Sequence, residues 1–224
     1  QTNMIKAQHP DYELFRTGVH YDRGVACADC HMPYKSEGGV KFTDHHIQSP
    51  LNNVANTCLV CHREETQKLI NNVYERQDKI YENRRLLEKL LAKAHIEAKF
   101  AWDKGATSKQ MEEALKFIRA AQWRWDFAAA SHGASFHSPV EVSRIVASGI
   151  NKAEEARLSI ARVLAKLGYT DEVPMPDIST KQKAQLYIGL DMKKLVAEKK
   201  VFIDEIIPKW LKEAAERESK YTAK

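Results

Sequence analysis

All four cysteines of this 224-residue chain fall into two runs of the same form. These are Cys27-Ala28-Asp29-Cys30-His31 and Cys58-Leu59-Val60-Cys61-His62. Cys-x-x-Cys-His is the spacing of covalent c-type haem attachment. Two thiols about one helical turn apart can each add across one vinyl group of a single porphyrin. The histidine that follows can then turn beneath the ring and offer a nitrogen to the iron. Two structural disulfides would not require a histidine after each pair. A thioredoxin-like redox motif would need a βαβ context, which the flanking sequence lacks. Zinc is the stronger rival, because paired Cys-x-x-Cys knuckles bind it tetrahedrally. Here 27 residues, 31 to 57, separate the pairs, more than the ~15–20 usual for a zinc ribbon. Covalent haem is the preferred reading.

An iron that only carries electrons needs a second axial ligand. Beyond His31 and His62 the chain holds His9, His20, His45, His46, His95, His132 and His137. Two electron-carrying haems need two of these, which leaves a surplus for other haems or other work.

The elements that must position these groups come in two kinds. Residues 1–62 are punctuated by Gly18, Gly24, Gly38 and Gly39 and by Pro10, Pro33 and Pro50. Short helices are expected at the two motifs, with loops elsewhere and no convincing strand. From residue 64 to 104 apolar residues recur at helical spacing without glycine or proline. A helix near 40 residues is too long for a compact domain to cover alone, which suggests a partner along part of it. Thr107-x-x-Gln110 reads as a capping box opening a second helix to about His132. Ser138-Pro139-Val140-Glu141 reads as an N-cap, a proline at N1 and a glutamate at N3, opening a third that stops at Gly168. An extended linker covers 170–178. Ser179-x-x-Gln182 opens a short helix ending at Gly189. A last helix runs from Asp191 to about Ser219, kinked at Pro208.

The expected fold class is mainly α: an irregular, haem-packed region over 1–62, then long antiparallel helices over 63–224. The 35 basic and 30 acidic residues are interspersed, so no nucleic-acid-binding footprint stands out. No apolar run approaches the ~18 residues of a membrane-spanning helix. The chain begins at Gln1 rather than Met, from which a processed, trimmed or partial chain is expected.

Several further motifs share a source. They are Lys6-Ala7-Gln8-His9-Pro10, Gly18-Val19-His20, Cys27 to Pro33, Thr43-Asp44-His45, Cys58 to His62, Ala121 to Asp126, Ser131-His132-Gly133 and Pro176 to Lys181. With them the chain resembles the C-terminal half of the pentahaem cytochrome c nitrite reductases, which reduce nitrite to ammonium. The resemblance covers essentially the whole chain and implies roles residue by residue. Cys27 and Cys30 would hold one haem, with His31 proximal and His137 distal. Cys58 and Cys61 would hold another, with His62 proximal and His20 distal. His45 would be the distal ligand of a haem attached outside this sequence, with His46 a bystander. His9 would be the active-site histidine above the catalytic haem. Lys6, through its carbonyl, and Gln8, through its side-chain oxygen, would bind calcium. His95 and His132 are read as structural.

The family's catalytic haem sits on Cys-x-x-Cys-Lys, and no such motif occurs here. The resemblance therefore implies two haems here out of five in the complete enzyme, with an N-terminal half missing. It also implies a homodimer built on the long helices. The electron donor would be a multihaem cytochrome, either a membrane quinol oxidase subunit or a soluble protein. Covalent haem points to the periplasm. Three alternatives remain: a dihaem electron-transfer module with no catalytic site of its own, a multihaem enzyme acting on hydroxylamine or another nitrogen oxide, and a zinc-binding structural protein.

Overall fold

The structure, a computed structural model, describes residues 4–221. Its backbone divides into two compact units, 1–173 and 174–224.

The first unit opens with three short helices: α1 (Asp11–Phe15), α2 (Val19–Asp22) and α3 (Cys27–His31). A two-stranded antiparallel hairpin follows, β1 (Tyr34–Glu37) and β2 (Val40–Thr43), with Tyr34 paired to Thr43 and Glu37 to Val40. This corrects the expectation that the chain holds no strand. The turn is Gly38-Gly39, with φ of +56° and +81°. Two successive positive φ values are what a two-residue hairpin turn of the right twist demands, and glycine meets them without strain. Single 3₁₀ turns at Pro50–Asn53 and Cys58–Val60 complete the region.

Three long helices then pack together: α4 (Thr66–Asp103), α5 (Ser108–Ala130) and α7 (Pro139–Lys166), with the single turn α6 (Ala134–His137) before the last. The Thr107 capping box forms as expected, with Thr107 N donating to Gln110 Oε1 at 2.8 Å and Gln110 N to Thr107 Oγ1 at 3.3 Å. Ser138 departs from expectation. Its hydroxyl does not cap α7 but accepts from Thr17 Oγ1 at 2.9 Å and donates to the Thr17 carbonyl at 3.2 Å. It therefore ties the start of α7 to the segment between α1 and α2.

The buried side chains form two clusters that also show how the helices run. Ile80, Leu87, Leu90 and Leu91 of α4 meet Ala121 and Ala128 of α5 and Val142, Val146 and Ala153 of α7. Farther along, Ala94, Ala98 and Ala101 meet Met111, Ala114 and Ile118, then Ala156, Ile160, Val163 and Leu164. So α5 is antiparallel to both α4 and α7, with alanines at the contacts allowing close approach. Glu97, almost buried, receives two prongs of the Arg157 guanidinium at 2.9 and 3.1 Å. Leu14 of α1 belongs to the first cluster, so the change of texture near residue 62 lies inside one compact unit.

The second unit is a succession of helices: α8 (Lys181–Tyr187), α9 (Met192–Val201), a π-helical turn at Phe202–Ile206 and α10 (Ile207–Tyr221). The cap of α8 is Thr180, accepting from Lys183 N at 3.3 Å, one residue later than expected. The irregularity expected at Pro208 takes the form of the π turn just before it. There the lost N–H of proline is absorbed by the wider winding.

Candidate haem site

The first Cys-x-x-Cys-His run and Cys58 of the second face one cavity of about 820 Å³, whose lining does not include Cys61 or His62. Cys27, Cys30, Cys58, His20, His31 and His137 all line it, and its walls are overwhelmingly apolar. All four thiols are free. Burial pushes the Cys30 thiol above its ordinary pKa, and neighbouring Cys58 adds to the shift.

The histidines stand in two pairs. The His31 and His137 ring centres are 6.4 Å apart. Those of His20 and His62 are 6.3 Å apart. Each pair joins one motif histidine to one from elsewhere in the chain. Phe136 lies between the pairs, stacked on His20 at 5.2 Å and 6.5 Å from His137. Five rings thus form a row from His62 to His31. Burial lowers the pKa of His20, and His62 and Arg76 lower it further. Burial also lowers that of His137, with Asp11 pulling the other way.

The local structure explains why His137 is aimed here. Gly18 lets the backbone between α1 and α2 lie against the His137 carbonyl, where a Cβ would come within 1.8 Å of the oxygen. Gly133 leaves space for the imidazole, whose Cε1 would be 2.3 Å from a Cβ at that position.

Oxygen atoms face the second ring nitrogen of four of the five histidines expected to bind iron. His31 Nδ1 donates to the Gln48 carbonyl at 3.0 Å, and His45 Nδ1 to the Thr43 carbonyl at 2.8 Å. Glu64 Oε2 is 3.6 Å from His62 Nδ1. Asp11 Oδ1 is 3.7 Å from His137 Nδ1. A proton held on Nδ1 leaves the Nε2 lone pair free for a metal, the arrangement metal-bound histidines adopt. Nothing in the sequence pattern pointed to Asp11, Gln48 or Phe136. The Pro10 that precedes Asp11, and the Ser131-His132-Gly133 motif, were the only nearby signals.

The remaining site residues lie outside this cavity or at its edge. His45 is exposed at the end of the hairpin. His46, read as a bystander, donates to the nearly buried carboxylate of Asp44 at 2.9 Å. Lys35 bonds the same carboxylate at 2.5 Å. These bonds, the one from Lys35 foremost, hold Asp44 well below the usual carboxylate range. Lys6, Gln8 and His9 are exposed on the stretch leading to Pro10. His9 has φ of +45°, the one non-glycine residue with positive φ among the described residues. His95 is exposed on α4, and His132 lines the cavity. Among the described residues no three of His, Cys, Asp and Glu converge as a metal cluster, and no helix is long and apolar enough to cross a membrane.

The chain is similar to the cytochrome c-552 of Parabacteroides distasonis, 64% identical over 213 residues that make up 95% of this chain and 43% of that protein. It is similar to the cytochrome c-552 of Maridesulfovibrio salexigens at 48% identity over 217 residues, 96% of this chain and 42% of that protein. Among solved structures it resembles the catalytic subunit of cytochrome c nitrite reductase from Desulfovibrio desulfuricans, described for its two calcium sites. That match has a TM-score of 0.68 at 28% identity, and covers 73% of this chain and 36% of that one. The chain thus spans less than half the length of the relatives it matches. The sequence profile of the cytochrome c552 family runs across residues 1–220, through both motifs and all the long helices, and the chain belongs to that family.

Proposed function

We propose that this chain is the part of a periplasmic, ammonia-forming cytochrome c nitrite reductase that carries two bis-histidine c-type haems and contributes the active-site histidine. The observation that carries the proposal is the spacing of the two histidine pairs. An imidazole–metal bond is about 2.0–2.1 Å, and the ring centre lies about 1.1 Å behind the nitrogen. One iron between two imidazoles therefore needs centres about 6.3 Å apart, against 6.4 Å for His31 and His137 and 6.3 Å for His20 and His62. Cys27 and Cys30 tether the first haem, and Cys58 and Cys61 the second. The apolar cavity suits the faces of the macrocycles, and the Gln48 carbonyl at His31 Nδ1 holds that imidazole in the required tautomer.

A haem with both axial positions filled supplies electron transfer rather than substrate binding. The work of these residues is to hold the rings, exclude water and set the potentials. His9 is the group of this chain that serves the substrate. A protonated imidazole beside bound nitrite favours the anion and can deliver protons as the N–O bonds break. His45 binds a haem attached elsewhere in the longer protein. Lys6 and Gln8 bind calcium together with oxygen donors outside this chain. The Cys-x-x-Cys-Lys haem of the reaction belongs to the length of the relatives that this chain does not span. Exposed Tyr74, Tyr81 and Leu86 on α4 favour a homodimer along that helix. The donor is a multihaem cytochrome.

The second reading, a dihaem electron-transfer module, is favoured by one fact: every cysteine of the chain lies in a Cys-x-x-Cys-His motif, and none in a Cys-x-x-Cys-Lys motif. The two readings differ in whether nitrite is turned over. They agree on the haems, and the intact mass of the denatured protein tests that agreement. The expected mass is that of the polypeptide carrying two covalent haems on its four cysteines. A mass with no haem overturns both readings and returns zinc as the ligand of the thiols.

A further inference from the structure

Asp11 makes contacts that neither motif explains. Its Oδ1 accepts from Ser131 Oγ at 2.6 Å and from Gly133 N at 3.1 Å. Both donors lie more than 100 residues away in sequence. They fix the carboxylate beside His137, 3.7 Å from Nδ1. That nitrogen is buried and has no hydrogen-bond partner. A buried N–H without an acceptor is costly, and Asp11 Oδ1 is the acceptor aimed at it. A shift of about 0.5 Å brings the pair within normal hydrogen-bond length.

We propose that Asp11 is the positioning residue of the His31–His137 haem: its carboxylate, braced by Ser131 and Gly133, accepts a hydrogen bond from the Nδ1–H of His137 while staying ionised, orients Nε2 toward the iron and stabilises the ferric state. The proposal rests on the reading of His137 as an axial ligand. A carboxylate behind an axial imidazole raises its basicity and places negative charge near the metal, and both effects favour the more highly charged iron. Of the four oxygens that face ligand histidines, two are neutral carbonyls and the Glu64 carboxylate is exposed. Asp11 is the half-buried charge braced by two donors.

The test uses the haem-loaded protein and three variants. Asp11→Asn keeps the size and the acceptor oxygen but removes the charge. Its expected effect is a shift of about tenfold toward the ferrous form at one haem, read by potentiometric titration as about 59 mV for a one-electron couple. The g-values of the same low-spin ferric signal should change as well. Ser131→Ala removes a brace and keeps the charge, and its expected shift is less than about threefold. An unmoved potential in Asp11→Asn overturns the proposal. So does a shift in Ser131→Ala as large as that in Asp11→Asn, because Asp11 would then be only a strut between α1 and the turn before α6. His137→Ala separates this outcome from failure of the ligation reading. One haem turning high-spin supports ligation whatever Asp11 does. Both haems staying low-spin removes His137 as a ligand, and the proposal with it.

Discussion

Gly133 occupies ground that any side chain would contest with the His137 ring, whose Nδ1 would lie 2.5 Å from an added Cβ. Gly133→Ala therefore has to turn or push the imidazole. Overpacking of this kind costs about 1–3 kcal/mol. The expected outcome is a loss of low-spin signal from one haem with a lowered melting temperature, checked by electron paramagnetic resonance and thermal unfolding of the loaded protein. At this scale the sequence was informative where chemistry is written in adjacent residues. Both Cys-x-x-Cys-His runs stand out without any structure. The pairing of His31 with His137 came only through the family resemblance, because 106 positions separate them and the return of the chain through α4 and α5 brings the rings together. Asp11 was illegible for the same reason. An aspartate after proline looks like an ordinary start to a helix until Ser131 and Gly133 arrive to hold its carboxylate.

The long helices were legible because their apolar spacing and their breakers, Gly105 and Gly168, are local signals. The hairpin was not. Its strands are four residues each, too short to show an alternating pattern, and without one Gly38-Gly39 looks like any other loop punctuation. Capping was legible only in part. Ser138 has the right type for an N-cap, but Thr17 offers its hydroxyl a tertiary partner that no local rule includes. At the start of α8, Asp177 accepts from Ser179 N at 3.0 Å and pairs with Lys183. These contacts, the Lys183 bond foremost, lower its carboxyl from 3.8 to about 2. A carboxylate depressed by folding stabilises the structure above its unfolded pKa, and that contribution fades as pH falls through the folded value. Asp177→Asn should therefore speed amide exchange at Ser179 and in the first turn of α8 near neutral pH. The two proteins should converge between pH 3.8 and about 2. The pair is exposed, so the difference should be small and shrink further in high salt.

Across the whole molecule the apolar core is unevenly distributed. Among residues 4–62 the buried hydrophobics are Leu14 and Val54, whereas the rest lie between Val73 and Leu164. A region with so little apolar burial is not held by its own packing. The cavity its loops surround is where further apolar contact can come from. Protein produced without haem should keep most of its helical circular dichroism. Its slow-exchanging amides should be confined to α4, α5 and α7. Haem loading should extend protection to residues 20–62, and hydrogen-exchange mass spectrometry checks both. The sequence made this asymmetry visible as a change of texture near residue 62. What it could not show is Leu14 reaching into the bundle core, which binds the loose region and the helices into one unit.

The row of rings from His62 through His20, Phe136 and His137 to His31 bears on biogenesis. On the two-haem reading, the partition of Phe136 and the two histidines flanking it is common to both sites. Capture of the first porphyrin would fix one of those histidines and, through its contact with Phe136, restrict the other. The ordering that the second capture would otherwise require is then already done. On that reading the two covalent steps should be cooperative, and intact-mass spectra of partly loaded protein should show far less of the one-haem species than independent loading predicts.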